Sequence, residues 1–392
     1  MVSEKMYALG STKSCIRELF EYGLRQAELI GKENVFDYSL GNPSIPSPEP
    51  VNEAFAGIIR EKGAVATHGY TPAAGAVEAR RAVADELNER YRAGIRPENL
   101  FLTCGAAPAL ISVIRALAVG QAEIMAIAPY FPEYRPFVEM NGCKFVTVPA
   151  DTEHFQIRLD ALETCLTRHT QAVIINSPNN PSGVVYERET LERLAALLKK
   201  KSAEYGHPIY ILADEPYREL VYDGAEAVFV PAVYPNTIVC YSWSKSLSLP
   251  GERIGYVCVP DCAEDSRVVF SAVAGAARTL GHVCAPSLQQ FVVARCCGLR
   301  PDLQAYDKNR TLLYDSLRSY GYACTKPNGA FYMFVKAPGG DSRAFSERAK
   351  AKNLLVVPGN DFGCPEFFRI STCVSYEMIV RSLPVFRELI AG

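Results

Sequence analysis

Apolar residues gather in short runs along the middle of the chain, each closed by Gly, Pro, Asn or Ser. Leu100–Cys104, Glu123–Ala128, Lys144–Val148, Ala172–Asn176, Ile209–Ala213, Thr237–Tyr241 and Ile254–Val259 have this form. Bounded apolar runs of this length read as buried strands. Between several of them the spacing changes to that of a helix, as in Pro108–Val119 and Arg188–Lys200. Strands alternating with helices predict an α/β unit, a mostly parallel seven-stranded sheet flanked by helices.

The two ends follow a different pattern. In Ser14–Ile30 the residues Ile16, Leu19, Phe20, Leu24, Ala27 and Ile30 recur at helical spacing, and Gly31 offers a stop. The stretch Tyr38–Pro48 is dense in proline, which forbids helix and suggests a crossing between domains. After about residue 290 the pattern yields a long helix, Leu303–Ser319, a strand-like run from Gly329 to Val335, a helix at Ser342–Lys352 and a strand at Phe367–Ser371. This predicts a smaller α+β domain, joined by the N-terminal helix. The expected division is residues 46–295 for the large domain and residues 1–45 with 296–392 for the small one.

Composition narrows the choice of class. Of 392 residues, 48% are hydrophobic and 21% charged, as in ordinary globular chains. The formal net charge of −2 carries no signature of a nucleic-acid binder. The single basic run, Lys199–Lys201, falls where a helix ends and cations favour the dipole. The thirteen cysteines are scattered and form no Cys-x-x-Cys pairs with matching ligands, so neither a zinc site nor any other metal is expected. They read mostly as small buried hydrophobes in a reducing cytosol. Neither a secretory leader at Met1–Met6 nor a membrane span is expected, since no long apolar run occurs.

In an open parallel sheet, ligands bind beyond the carboxyl ends of the strands. Candidate chemistry lies just past those ends: Gly105-Ala106-Ala107, Pro129-Tyr-Phe-Pro, Ser177-Pro-Asn-Asn-Pro-Ser-Gly183, Asp214-Glu-Pro-Tyr217 and Ser242-Trp-Ser-Lys-Ser246, with Arg253 opening the last strand. Lys245 follows an apolar strand; a desolvated lysine has a lowered pKa and can form a Schiff base, whereas an ordinary lysine is a solvated charge. Asp214 could cap a turn or stabilise a cationic ring nitrogen. Asn180 could be turn chemistry or an amide mounted between prolines, and Tyr217 could be a core aromatic. Small residues at 105–107 before a helix let backbone N–H groups approach an anion, with Ser242, Ser244 and Arg253 completing a phosphate cup. Arg369 interrupts an apolar strand, either at a sheet edge or as a carboxylate clamp.

The run Ser242-Trp-Ser-Lys-Ser-Leu-Ser-Leu-Pro-Gly-Glu-Arg-Ile-Gly-Tyr256 resembles the lysine signature of the class I/II pyridoxal-phosphate-dependent aminotransferases. Leu40-Gly-Asn-Pro43, Tyr70-Thr-Pro-Ala-Ala-Gly75, Asn179-Asn-Pro-Ser-Gly183, Ala213-Asp-Glu-Pro-Tyr217, Asn328-Gly-Ala-Phe-Tyr332 and Arg369-Ile-Ser371 resemble further motifs of that family in the expected order. The resemblance implies an aspartate aminotransferase-like fold of type I and a homodimer with shared active sites. It also implies a ping-pong transfer of an amino group between an L-amino acid and a 2-oxo acid. Lys245 is then the Schiff-base residue and proton shuttle, Asp214 pairs with the pyridine nitrogen, and Tyr217 and Asn180 bond the phenolic oxygen. Ala106, Ala107, Ser242, Ser244 and Arg253 hold the phosphate, Tyr70 reaches the neighbouring subunit's phosphate, and Phe131 stacks on the ring. Arg369 grips the substrate carboxylate, with Asn180 and Gly41 beside it.

Two positions depart from the pattern. Phe131 can stack but cannot hydrogen-bond, and Ala107 stands where relatives can carry a polar or basic residue. A C–S β-lyase of the same fold uses the same electron sink and stays open. A non-catalytic pyridoxal-phosphate sensor is disfavoured by the lack of an added helix-turn-helix segment. A nucleotide-binding sheet is disfavoured because no strand is followed by Gly-x-Gly-x-x-Gly. For a second substrate carboxylate, Arg278 is the weak candidate cation.

Overall fold

The computed structural model describes residues 1–11 and 14–391. Strand β1, Phe36–Asp37, is followed by the strands of the large sheet: β2 Leu100–Thr103, β3 Glu123–Ile127, β4 Lys144–Val148, β5 Thr170–Asn176, β6 Tyr210–Asp214, β7 Thr237–Ser242 and β8 Gly255–Cys258. Strands β9 Tyr332–Lys336, β10 Leu354–Leu355, β11 Val357–Pro358 and β12 Phe367–Ser371 complete the set. The large sheet has the order β2-β8-β7-β6-β5-β3-β4, and β3 to β7 run parallel. It is the expected seven-stranded α/β sheet.

Alternation along the strands explains why the sheet needs helices on both faces. In β6, Tyr210 and Leu212 pack into one apolar cluster, while Ile211 and Ala213 pack into the other. All five residues of that strand are buried. A strand buried on both faces reads as a continuous apolar run, which is why the sequence marks it so clearly.

Strand β8 is antiparallel to both neighbours, β2 and β7. Its first residue therefore lies at the edge where the parallel strands end. Gly255 is in register with Thr103 on one side and Ser242 on the other. This brings Arg253 to the same edge as Gly105 and the Ser242–Lys245 turn, although it precedes its strand rather than following it.

The remaining strands form smaller sheets. β12 is central between β11 and β9, and both pairings are antiparallel. β1 pairs in parallel with β10, tying the N-terminal segment to the C-terminal part of the chain. Helix bounds shift modestly from the pattern: Ala106–Ala116, Arg188–Tyr205, Leu303–Tyr320 and Ser342–Lys350. The strand expected from Gly329 begins only at Tyr332, because Gly329 is held in an isolated bridge to Val221 and Ala330 and Phe331 turn the chain, Ala330 at φ 52. Helices Glu49–Lys62, Val77–Tyr91, Ser266–Thr279, Ser287–Cys296 and Tyr376–Ala391 add to those the pattern singled out. Val77–Tyr91 buries only Ala79, Val83, Ala84 and Leu87, a stripe of mostly small side chains in a charge-rich segment. All thirteen cysteines are free, and Cys262 is the exposed one. Among the described residues no helix is long and apolar enough to cross a membrane.

Gly255 sits where three backbones meet. A Cβ there would lie 2.2 Å from the Tyr241 carbonyl oxygen and 2.9 Å from Gly105 Cα, whereas one on Gly251 would meet nothing within 4 Å. Gly255→Ala is therefore expected to lower stability by about 2 kcal/mol, in the range of overpacked sites. Gly251→Ala should leave the unfolding midpoint nearly unmoved. Equal midpoints for both variants in a denaturant titration would contradict this packing account.

Candidate active site

A cavity of about 270 Å³ opens at the carboxyl edge of the large sheet. Its lining includes Lys245, Asp214, Tyr217, Asn180, Ser242, Ser244, Arg253, Ala106, Ala107, Phe131, Gly41 and Arg369. The structure thus brings together all of the sequence-predicted site residues except Tyr70. Tyr70 is 99% exposed and outside the cavity lining. Arg278, at the end of helix Ser266–Thr279, is also exposed and outside the lining.

One end of the cavity suits an anion. Gly105 adopts φ 99, a conformation open to glycine, and delivers Ala106 and Ala107 into the first turn of helix Ala106–Ala116. First-turn N–H groups have no helical acceptor and attract anions. A Cβ on Gly105 would come within 2.8 Å of the Arg253 guanidinium, so the glycine lets that cation approach the helix start. The Ser242 and Ser244 hydroxyls lie 2.7 Å apart, and Ser242 Oγ accepts from Ser244 N.

The centre of the site joins an acid and an amine. Asp214 ends β6 in register with Asn176 of β5, whose amide donates to the Asp214 carbonyl at 2.8 Å. The Tyr134 hydroxyl donates to Asp214 Oδ2 at 2.5 Å, while buried Oδ1 has no partner. Burial raises the Asp214 carboxyl to about 7; the Tyr134 bond opposes the rise and Glu215 adds to it. Asp214 lines the cavity, and a buried carboxylate oxygen left without a partner is equipped to accept a hydrogen bond from a cationic N–H. Burial also pulls the Lys245 ammonium down to about 8, with Cys373 opposing and Arg369 and Arg253 assisting. Lys245 Nζ donates to the Gly41 carbonyl at 2.6 Å.

The third part grips from the small sheet. Arg369 lies in the central strand β12 and is 2% exposed, which excludes the edge position. Its guanidinium donates to Asn180 Oδ1 at 3.0 Å and to the Ser39 carbonyl, and stands 4.7 Å over the Tyr332 ring. Its Nε has no partner. Tyr332 and Tyr217 share a hydrogen bond of 3.0 Å. Only glycine fits at position 41, since a Cβ there would fall 1.9 Å from the Tyr332 hydroxyl. Of the adjacent asparagines, Asn179 turns inward and bonds its own loop, accepting from Ser182 N and Oγ. That leaves Asn180 to face the cavity.

Sequence reasoning gave no role to Tyr134, Asn176, Tyr332, Ile16 or Leu40. Tyr134 stands three residues past Phe131 and meets its ring edge-on at 5.7 Å, but nothing local in the sequence announces the contact with Asp214. Tyr332 closes a quoted motif, so its signal was present and unused.

Comparisons with known proteins place the whole chain among aminotransferases. The family Aminotransferase class I and II matches residues 33–383. An aspartate aminotransferase from Thermotoga maritima is 31% identical over 94% of this chain and 95% of that protein. Aromatic-amino-acid aminotransferase 2 from Thermococcus litoralis is 30% identical over 94% and 93%. A solved amino transferase from Eubacterium rectale superposes with a TM-score of 0.98 at 55% identity, covering 100% of this chain and 98% of that one.

The raised Asp214 carboxyl has a pH signature. Its folded value, about 7, lies above the ordinary 3.8, so the folded chain binds the extra proton between those limits. Stability is then lost as pH rises through that window, by a few kcal/mol in all for a fully buried group. For the cofactor-free chain, the stability of Asp214→Asn relative to the parent should climb from pH 4 to about 7 and level off above. Urea titrations across pH that give a flat difference would refute the assignment.

Proposed function

The chain belongs to the class I and II aminotransferases, and on that premise we propose that its sheet-edge cavity holds pyridoxal phosphate and carries the amino transfer. The observation that carries the residue assignment is the meeting, in one cavity, of a lowered lysine, a buried carboxylate oxygen without a partner and a buried arginine. The donor set fits the cofactor. Ala106, Ala107, Ser242, Ser244 and Arg253 would hold its phosphate, and Asp214 Oδ1 would accept from its ring nitrogen. Tyr217 and Asn180 would bond its phenolic oxygen, Phe131 would stack on the ring, and Lys245 Nζ would attach it covalently. When bound, the group supplies an electron sink for charge developing at the substrate's Cα.

The remaining work falls to side chains of this chain. Arg369, oriented by Asn180 and the Ser39 carbonyl, binds the carboxylate of the amino acid and fixes which face of Cα meets Lys245. Lys245 Nζ, with its pKa near 8, has a substantial neutral fraction close to physiological pH and can take the Cα proton and return it. The Gly41 carbonyl, which accepts from Nζ, lines the path of the substrate carboxylate. Asp214, steadied by Tyr134, keeps its charge against the ring nitrogen. Two half-reactions, one releasing a 2-oxo acid and one consuming another, complete a ping-pong cycle.

We further assign residues 46–295 to a cofactor-binding unit and residues 1–45 with 296–392 to a small α+β unit, a reading that the β1–β10 pairing supports. The assembly we favour is a homodimer in which Tyr70, exposed on its own chain, completes the partner's phosphate site. A reducing cytosol suits thirteen free cysteines.

Replacing Lys245 by Ala is expected to lower turnover at least about a thousandfold while the cofactor still binds. Borohydride added with pyridoxal phosphate should label the parent at Lys245 and leave the variant unlabelled at that site. Retained turnover in the variant, or labelling elsewhere in the parent, would overturn the assignment.

A further inference from the structure

Tyr332 lines the cavity but has no part in the function proposed above. It opens β9 in register with Ser371 of β12, two residues from Arg369, so the phenol and the guanidinium project from the same face of the small sheet. The Arg369 guanidinium stands 4.7 Å from its ring centre. A Cβ on Gly183 would fall 2.2 Å from the Tyr332 carbonyl oxygen, so the residue is seated between β12 and the loop that carries Asn180.

The hydroxyl of Tyr332 is packed just as closely. A Cβ on Gly41 would reach it at 1.9 Å, and its one polar partner among the described residues is the Tyr217 hydroxyl at 3.0 Å. Two phenols joined by one hydrogen bond leave one proton uncommitted, and which phenol donates decides where that proton goes. Burial raises both phenols, Tyr332 to about 12 and Tyr217 further, and the Arg369 cation is the main influence opposing the rise in Tyr332. A cation close by favours loss of a proton, so Tyr332 is the better donor of the pair. A hydroxyl that accepts a hydrogen bond becomes a stronger donor in its turn.

We propose that Tyr332 is a positioning residue: its hydroxyl donates to Tyr217 Oη and so turns the Tyr217 proton into the cavity. The inference rests on the proposed function, in which Tyr217 bonds the phenolic oxygen of pyridoxal phosphate, and adds the group that aims it.

The visible absorbance of the chain loaded with pyridoxal phosphate changes with pH as the proton shared by the Lys245 nitrogen and the phenolic oxygen is lost. A hydrogen bond to that oxygen lowers the midpoint by stabilising its negative charge. Tyr332→Phe keeps the ring beside Arg369 and removes only the hydroxyl. Asp214, Lys245, Arg369 and Cys373, the charged and titratable groups around the pair, are unchanged in every variant. Tyr217→Phe should raise the midpoint by about one pH unit or more. Tyr332→Phe should raise it by about half a unit. The double variant should match Tyr217→Phe alone, because Tyr332 acts through Tyr217. A midpoint unmoved in Tyr332→Phe while Tyr217→Phe shifts it would overturn the inference and leave the proposed function standing. So would a Tyr332→Phe shift that persists in the double variant, since the hydroxyl would then act independently of Tyr217. No shift in Tyr217→Phe would overturn the role given to Tyr217 and this inference with it.

Discussion

The arrangement at the sheet edge turns on one buried carboxylate. Asp214 and Glu215 are consecutive and both buried at the end of β6, and each keeps one oxygen without a hydrogen bond among the described residues, but only Glu215 has a charged partner. Glu215 pairs with Arg218 at 2.6 Å, and both members are buried. Asp214 has only the neutral Tyr134 hydroxyl on one oxygen and nothing on the other. Pairing with Arg218 offsets much of the Glu215 field, although enough reaches Asp214 to add to the rise of its carboxyl. An acid supported by a neutral donor retains its field and directs it along the unpartnered oxygen. The fold achieves this by letting successive residues leave the strand on opposite sides, one toward a cation and one toward the cavity.

The rest of the site is built around that acid by topology more than by local sequence. Parallel strands β5, β6 and β7 bring Asn176, Asp214 and Ser242 to one edge in neighbouring positions. The antiparallel β8 adds Arg253, which a fully parallel sheet would have placed at the opposite edge. Gly255 and Gly105 allow those backbones to approach closely enough for this exchange of direction. The small sheet contributes Arg369, and the N-terminal crossing contributes Gly41 and Ser39. Arg369, Asn180 and Ser39 therefore meet only when distant stretches of the chain are folded together.

This division explains what was legible in the sequence. Most of the large-sheet strands were readable because they are buried on both faces and leave nearly uninterrupted apolar runs, and even the edge strand β4, partly exposed, keeps Phe145, Val146 and Val148. The charge-rich helix Val77–Tyr91 was not, because its buried stripe is mostly alanine and valine and its hydrophobic contrast is weak. Lys245, Asp214 and Arg369 were legible because an ionisable residue closing or interrupting an apolar strand is conspicuous. Tyr134 was not, because a tyrosine among aromatics reads as core, and its role depends on a partner eighty positions away. Asn179 and Asn180 were indistinguishable by type; only the folded loop decides that the first bonds inward and the second faces Arg369.

The same physics separates the two ends of the cavity. Buried groups without partners cost stability in the chain alone, and two of them, Asp214 Oδ1 and Arg369 Nε, belong to residues lining the cavity. One is an acceptor on an acid and the other a donor on a base, so they call for ligand groups of opposite kind. On the proposed function, a cationic ring and an anionic carboxylate would satisfy them together. Apolar residues such as Ile16, Leu40 and Phe131 line the same cavity and would strengthen both attractions by excluding water. A site that presents an unpartnered acid and an unpartnered arginine within an apolar shell is thus built to favour ligands that bring both charges at once.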